Sequence, residues 1–412
     1  MRILYLNPSG QLGGAEMSLL DILASLRAAK PEWTLGLIAG SDGPLLEQAR
    51  QLGVAAKVLP FPPAMARLGD SALNRLRQRA KRRATLLKNL LLAGPQTINY
   101  LRALRREVAA FAPQLIHTNG FKMHILGVWA RVGGVPLVWH IRDYVSRRRV
   151  MAHLLRWHAG RCAAVIANSQ SAADDMRRVC GDALKIFAVY NAIDLQRFTP
   201  EGAKLDLDAL AGLPAPPKET VRVGLLGTLA RWKGHDVFLQ ALAQLPPDLP
   251  VRGYIVGGAL YQTNGSQHSL AELQQMAHDL NLGERIGFTG FISDVAAAMR
   301  SLDIVVHASS EPEPFGRVIV EGMACGRAVV ASRAGGACEI INEGVDALGH
   351  TPGNAAEMAA CLRQLINNKD LRAALGRAGR ATAEQRFDRR RLAQELLPFY
   401  YELTGGTDYF IS

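Results

Sequence analysis

The chain has 412 residues, more than one ordinary hydrophobic core organises, so two domains are expected. With 49% hydrophobic and 20% charged residues it has a globular balance, and no apolar run reaches the roughly 18–20 residues of a membrane-spanning helix. The net charge of +12 is split unevenly: residues 1–190 carry 27 Lys/Arg against 11 Asp/Glu, and residues 191–412 carry 21 against 25, so the first half suits an anionic partner.

Ile3–Asn7 is short and apolar, a first strand that begins without a secretory leader, and a cytoplasmic protein is expected. The five cysteines, at 162, 180, 325, 338 and 361, are odd in number and irregularly spaced, as free thiols in a reducing compartment are. No Cys/His cluster has zinc spacing. Neither a P-loop nor Gly-x-Gly-x-x-Gly is present, against P-loop NTPases and the dinucleotide enzymes that carry that fingerprint.

After the first strand comes a loop, Pro8–Glu16, bearing Gly13-Gly14, and then a helix over Met17–Leu26. Gly13 and Gly14 let the backbone approach a ligand and offer amides to an anion, although a lone Gly-Gly most often marks only a turn. Leu35–Ala39 and Lys57–Pro60 are further strands. Residues 67–111 break this rhythm. Leu73, Leu76, Ala80, Ala84, Leu87 and Leu91 recur at steps of three and four, an amphipathic helix that Pro95 interrupts, and Ile98, Leu101, Leu104, Val108 and Phe111 form a second stripe. Between Arg75 and Arg106 there are ten basic residues and no acid. A solvated helix face is the ordinary explanation of charge, but this imbalance suits anionic lipid headgroups better. Nucleic acid is disfavoured, because no recognition module or aromatic platform accompanies the charge. Arg147-Arg148-Arg149 extends the patch.

Leu115–Asn119 and Val135–Asp143 read as strands that end in polar residues, His117 on one and His140 on the next. A lone histidine there is usually structural. Ala164–Asn168 is another strand, and Asn168-Ser169 opens a helix. Residues 191–220, with Pro214, Pro216 and Pro217, read as a linker. The pattern then restarts: a strand over Val221–Gly227, a loop carrying Arg231 and Lys233-Gly234, and a helix from about His235. Gly253–Gly258 and Arg285–Phe291 are further strand-and-turn segments.

Asp303–Ala308 is an apolar, partly β-branched strand, a helix runs from Arg317 to near Gly326, and Ala328–Ser332 is the next strand. Glu313 therefore sits on a loop at the carboxyl edge of a sheet, where open α/β sheets bind ligands. The Phe315 and Gly316 amides stand at a helix start, which favours an anion such as a diphosphate. Glu321, eight residues beyond Glu313, is placed to accept from a ribose diol. By themselves, paired glutamates around a turn are commonly a solvated helix end. Ile340 and Glu339 begin another helix, 355–385 are helical, and Arg389–Leu403 is a long C-terminal helix before a loose tail.

Glu313-x7-Glu321 with its internal Phe315-Gly316, followed by a strand and Gly335-Gly336-x-x-Glu339, resembles the signature of retaining family 4 glycosyltransferases of the GT-B fold. The resemblance covers nearly the whole chain, through Gly13-Gly14, His140, Asn168-Ser169, Asn191-Ala192-Ile193-Asp194 with Phe198, Lys233-Gly234 and Gly257-Gly258. Ala192 stands for the usual glycine, Thr228 for a frequent arginine, and Asp346–His350 departs from the usual Gly-Leu-Leu-Val. What the resemblance implies is an α/β protein of two Rossmann-like domains facing across a cleft: residues 1–190 for the acceptor, with the basic insertion 67–111; residues 191–388 for a nucleotide-sugar; and 389–412 crossing back to the first domain. It implies a hexosyltransferase with no cofactor beyond the nucleotide-diphospho-sugar donor, and no metal is expected because protein cations would do the neutralising and no Asp-x-Asp stands in the expected place. The basic first half fits a saccharide or lipid-linked acceptor at the cytoplasmic face of the membrane. Lys233 and Arg231 would hold the diphosphate with help from the Phe315 and Gly316 amides, Glu321 the ribose, and Glu313 the sugar hydroxyls. His140 and the Gly13/Gly14 loop would complete the site. The competing readings are a nucleotide-sugar epimerase-like GT-B enzyme and an inactive membrane-associated scaffold.

Overall fold

The computed structural model describes residues 1–63, 65, 82–258 and 266–406. It divides into two compact units, Met1–Ala192 with Arg389–Ser412, and Ile193–Asp388. In the first, β1 (Arg2–Asn7), β2 (Thr34–Ala39), β3 (Ala55–Val58), β4 (Leu115–Asn119), β5 (Leu137–Ile141), β6 (Ala164–Ala167) and β7 (Ile186–Ala188) form one parallel sheet in the order β3-β2-β1-β4-β5-β6-β7. Its central strands are buried along their length, which is why they do not alternate apolar and polar residues. The connecting helices are α1 (Gly14–Ala29), α2 (Pro44–Gln51), α3 (Arg82–Phe111), α4 (Phe121–Ala130), α5 (Arg149–His158) and α6 (Gln170–Cys180).

The second unit repeats the plan. α7 (Leu207–Leu210) precedes a six-stranded parallel sheet of order β10-β9-β8-β11-β12-β13, built from β8 (Val221–Leu226), β9 (Val251–Val256), β10 (Ile286–Gly290), β11 (Ile304–His307), β12 (Ala328–Ser332) and β13 (Leu348–His350). Its helices are α8 (His235–Ala243), α9 (Leu270–Asp279), α10 (Val295–Arg300), α11 (Arg317–Ala324), α12 (Ala337–Ile340), α13 (Ala355–Asn367) and α14 (Lys369–Arg386). In each sheet the strand order reverses once, at β1/β4 and at β8/β11, and such switch points open a crevice at the carboxyl ends of the strands.

α15 (Arg391–Thr404) belongs to the first unit. Leu392, Leu396, Phe399 and Tyr400 join the core that holds Ile3, Tyr5, Leu19 and Leu23. The turn before it is fastened by Ser25, whose Oγ accepts from the Ala393 amide at 2.9 Å and donates to the Arg390 carbonyl at 3.3 Å.

Three expectations are corrected. Pro95 does not end a helix: α3 runs through it to Phe111, accepting the loss of one ladder bond while Tyr100, Leu104 and Val108 bury against the sheet. Residues 193–220 are no loose linker. Phe198 and Leu207 are buried, and the Asp208 carboxylate holds Arg222 Nη2 at 2.7 Å, Arg252 Nη1 at 2.6 Å and Tyr254 Oη at 2.6 Å. Residues 355–385 are helical as expected, in two helices that meet where Asn368 caps the second through the Leu371 amide at 2.9 Å. α12 ends at Ile340 and does not begin there. Of the basic stretch 67–111, residues 67–81 lie outside the described residues, as do 407–412 of the tail. All five cysteines are unbridged, and no described helix is long and apolar enough to cross a membrane.

Candidate functional site

Because β8 and β11 are neighbours, the loops that leave their carboxyl ends meet. The β8 loop turns through a single 3-10 turn, Arg231–Lys233, and enters α8 at Gly234. Gly234 has φ +72°, and a Cβ there would stand 2.0 Å from the Ala308 carbonyl oxygen. Only glycine fits a left-handed residue pressed against backbone. The two loops are also stitched by the Ser310 amide, which donates to the Trp232 carbonyl at 2.8 Å.

This contact delivers Lys233 to Glu313. Their side chains are 19% and 12% exposed, and Lys233 Nζ donates to Glu313 Oε1 at 2.6 Å. Glu313 Oε2 accepts from His307 Nε2 and Ser309 Oγ, each at 2.7 Å. A carboxylate only accepts, so His307 carries its proton on Nε2 in this contact. Burial alone would raise the Glu313 carboxyl; the Lys233 ammonium and the His307 contact outweigh it and hold the group well below the ordinary carboxylate range. The following loop closes over the same backbone. Gly336 donates its amide to the Glu313 carbonyl at 2.8 Å, and a Cβ on it would lie 2.0 Å from the Pro314 carbonyl oxygen.

Gly316, at φ +96°, is the N-cap of α11 three residues after Glu313, and it places the helix N-terminus beside that loop. Phe315 is buried, its ring 5.9 Å from that of Phe387 in an edge-on contact, which anchors the turn. Glu321 sits mid-helix on α11 and accepts from Arg317 Nε at 2.6 Å. Arg231 is directed elsewhere: Nη2 donates to Glu272 at 3.1 Å and Nη1 lies 3.2 Å from His268 Nδ1. The pair Lys233–Glu313 is therefore brought together as a unit, whereas Arg231 and Glu321 each have an acid or base of their own. Sequence reasoning missed His307, Ser309 and Arg317. The i, i+4 spacing of Arg317 and Glu321 was a readable signal; the contacts of His307 and Ser309 depend on how the loop folds back.

In the first unit, the Gly13 amide is taken by Glu16 Oε2 at 3.2 Å, so it offers nothing to an anion. Gly14 opens α1, with open space where a side chain would be. His140 is the penultimate residue of β5, and His117 lies diagonally beside it on β4 because the register pairs His117 with Val138. His117 Nε2 is 3.0 Å from His140 Nδ1, and the two rings are 5.1 Å apart. Burial chiefly, and then the nearby Arg142 charge, hold both imidazoles well below their usual range, so both are neutral. His140 Nε2 is buried without a hydrogen-bond partner among the described residues.

Comparison with known proteins gives two family-model matches in tandem. Residues 12–197 match Glycosyltransferase Family 4, and residues 214–382 match Glycosyl transferases group 1. The chain is 31% identical over 218 residues to the D-inositol 3-phosphate glycosyltransferase of Corynebacterium jeikeium, covering 51% of this chain and 50% of that one. It is 28% identical over 203 residues to the lipopolysaccharide core biosynthesis glycosyltransferase LpsE of Rhizobium meliloti, covering 49% and 56%. The chain thus spans about half the length of the curated relatives it matches. Among solved structures, Anabaena Alr3699/HepE in complex with UDP-glucose superposes with a TM-score of 0.77 at 29% identity, covering 98% of this chain and 100% of that one.

Proposed function

Since the chain belongs to the family 4, group 1 glycosyltransferases of the GT-B fold, we propose that it transfers a sugar from a nucleotide-diphospho-sugar to a saccharide or lipid-linked acceptor, with retention at the anomeric carbon. The observation that carries this reading is the half-buried Lys233–Glu313 pair beside the N-terminus of α11. A cation and a helix N-terminus at one switch point are suited to a diphosphate, whose charge grows as it leaves. These groups supply the neutralising charge, so the transfer proceeds without a metal ion. Glu321 is the ribose partner and Glu313 both aligns Lys233 and meets the sugar hydroxyls. The acceptor oxygen bonds to the anomeric carbon as the bond to the diphosphate oxygen breaks, and the acceptor proton passes to that leaving oxygen on the same face.

HepE is seen with UDP-glucose, so UDP-sugars are the donors to try first. A ligand that binds only the folded state raises its stability by about 2.7 kcal/mol at a hundredfold excess over Kd. Thermal shift against nucleoside diphosphates and their sugars, with and without chelator, is expected to give a selective rise with one base. No rise with any nucleotide would remove the donor site, and product NMR showing inversion would remove retention.

The acceptor is taken by the first unit at the cytoplasmic membrane face. Exposed Arg102, Arg105 and Arg106 on α3, and Arg147, Arg149, Val150 and Trp157 on or beside α5, support a basic and partly aromatic contact with anionic lipid. Cosedimentation with anionic but not zwitterionic vesicles is the expected result; equal partition into both would sink this part.

A further inference from the structure

A chain of buried side chains in the first unit ends on one unpartnered atom. Tyr5 Oη lies 3.4 Å from Tyr400 Oη, Tyr400 Oη 2.7 Å from His117 Nδ1, and His117 Nε2 3.0 Å from His140 Nδ1. The strand register explains why they meet: Tyr5 on β1 stands opposite His117 on β4, His140 is two residues beyond the β5 partner of His117, and so all three face the same side, where α15 supplies Tyr400. The far atom, His140 Nε2, is buried and has no hydrogen-bond partner among the described residues.

Each link alone can run in either direction, since a hydroxyl and a neutral imidazole both donate and accept. Arg142 removes the ambiguity. Its Nη2 lies 3.3 Å from His140 Nδ1, and its guanidinium is oriented by Asn191 Oδ1 at 2.6 Å and Asn119 Oδ1 at 3.4 Å. A guanidinium only donates, so His140 Nδ1 bears a lone pair. His117 Nε2, aimed at that lone pair, donates to it. His117 Nδ1 then accepts from Tyr400, and Tyr400 accepts from Tyr5. Reversing the chain would set an N–H of His140 against Arg142 and leave the Tyr5 hydroxyl proton without this acceptor. The one direction that satisfies every link puts the His140 proton on Nε2.

We propose that Arg142 and Tyr400 are positioning residues that lock His140 as the Nε2–H tautomer, so that it meets substrate as a hydrogen-bond donor to an oxygen and not as a base. An unpartnered buried donor is costly, and a sugar hydroxyl or phosphate oxygen would satisfy it. Because Tyr400 comes from the C-terminal helix, 283 residues after His117, this face of the first unit is complete only with α15 docked. The charged and titratable groups around His140 are Arg142, His117 and His124.

The role given to His140 rests on the glycosyltransferase reading, but the tautomer does not, and the two are tested apart. Long-range imidazole 15N–1H correlation on full-length protein labelled at histidine, at neutral pH, is expected to show a protonated Nε2 and a bare Nδ1 for His140, assigned by its loss in His140→Gln. A proton on Nδ1 of the unaltered protein overturns the lock without any variant having to fold. Arg142→Met is expected to shift His140 toward a mixture of tautomers; an unchanged spectrum removes Arg142 from the relay. Tyr400→Phe is expected to disturb the His117 resonances; if these stay fixed, Tyr400 has no part in it. In the transfer assay, His140→Gln keeps an N–H and is expected to stay within about tenfold of the parent kcat/KM, whereas His140→Ala falls by roughly a hundredfold, the loss of one preorganised donor. Equal losses in Gln and Ala would mean that His140 acts as a base. Absence of any turnover, with the Nε2–H signature intact, would count against the transferase reading and leave the relay standing.

Discussion

At the scale of single residues, Lys233 donates to Glu313, so a diphosphate bound as proposed would share or displace that contact. Two variants separate their roles. Lys233→Ala removes the cation proposed to meet the leaving group and is expected to lower kcat/KM by about 10²–10³ and to abolish the thermal shift with a nucleoside diphosphate. Glu313→Gln removes the carboxylate that competes with phosphate for Lys233. It is expected to bind the free nucleoside diphosphate at least as tightly as the parent, by calorimetry, while transfer falls. Weaker binding would mean that Glu313 itself holds the nucleotide. Arg231, with Glu272 and His268 beside it, has less charge to offer, and Arg231→Ala should cost far less than Lys233→Ala in the same assay.

At the scale of elements, α15 is a core component of the first unit and not an appendage. Leu392, Leu396, Phe399, Tyr400 and Tyr401 are all buried in the core built on α1 and the sheet. At about 1.5–3 kcal/mol for each large apolar side chain removed from water, their loss is of the order of a whole domain's 5–15 kcal/mol. A chain ending at Asp388 is therefore expected to lose the cooperative unfolding of its first unit, read by calorimetry. A first transition of unchanged midpoint would contradict this. The run through Pro95 makes the complementary point. A proline costs a helix one bond and roughly 3 kcal/mol, but α3 survives it where its buried stripe is packed on the sheet.

At the scale of the whole molecule, the second unit is one continuous stretch, Ile193–Asp388, while the first needs both ends of the chain. A fragment spanning 193–388 is expected to fold alone and to bind the nucleotide as the full chain does. Acid should unfold the protein early. His117, His124, His140 and His235 are buried, and burial is the main cause that lowers each, to about 3 for His124 and His235. The unfolded chain takes up these protons near 6.5 while the folded one does not, so stability falls as pH drops below 6.5. The slope is about 1.4 kcal/mol per pH unit for each group until its own lowered value is reached. Glu313, lowered in the fold, adds a loss in the same direction only below about 4.5. A melting temperature constant from pH 7 to 5 would contradict this.

Much of this was legible in the residues. The strands Ile304–His307 and Ala328–Ser332 announce themselves as apolar β-branched runs, Gly234 and Gly316 mark sharp turns, and the motif from Glu313 to Glu339 carries the family. Those signals are local, because periodicity and turn chemistry act within a few residues. What the tertiary structure alone decided is what meets across long separations. The partner of Lys233 stands 80 residues away, and the hydroxyl that meets His117 stands 283 residues away. Strand order brings the first pair together at β8/β11, and the docking of α15 brings the second. Neither contact leaves a mark on local sequence, since a lysine, a glutamate or a tyrosine looks the same whether it faces water or another side chain.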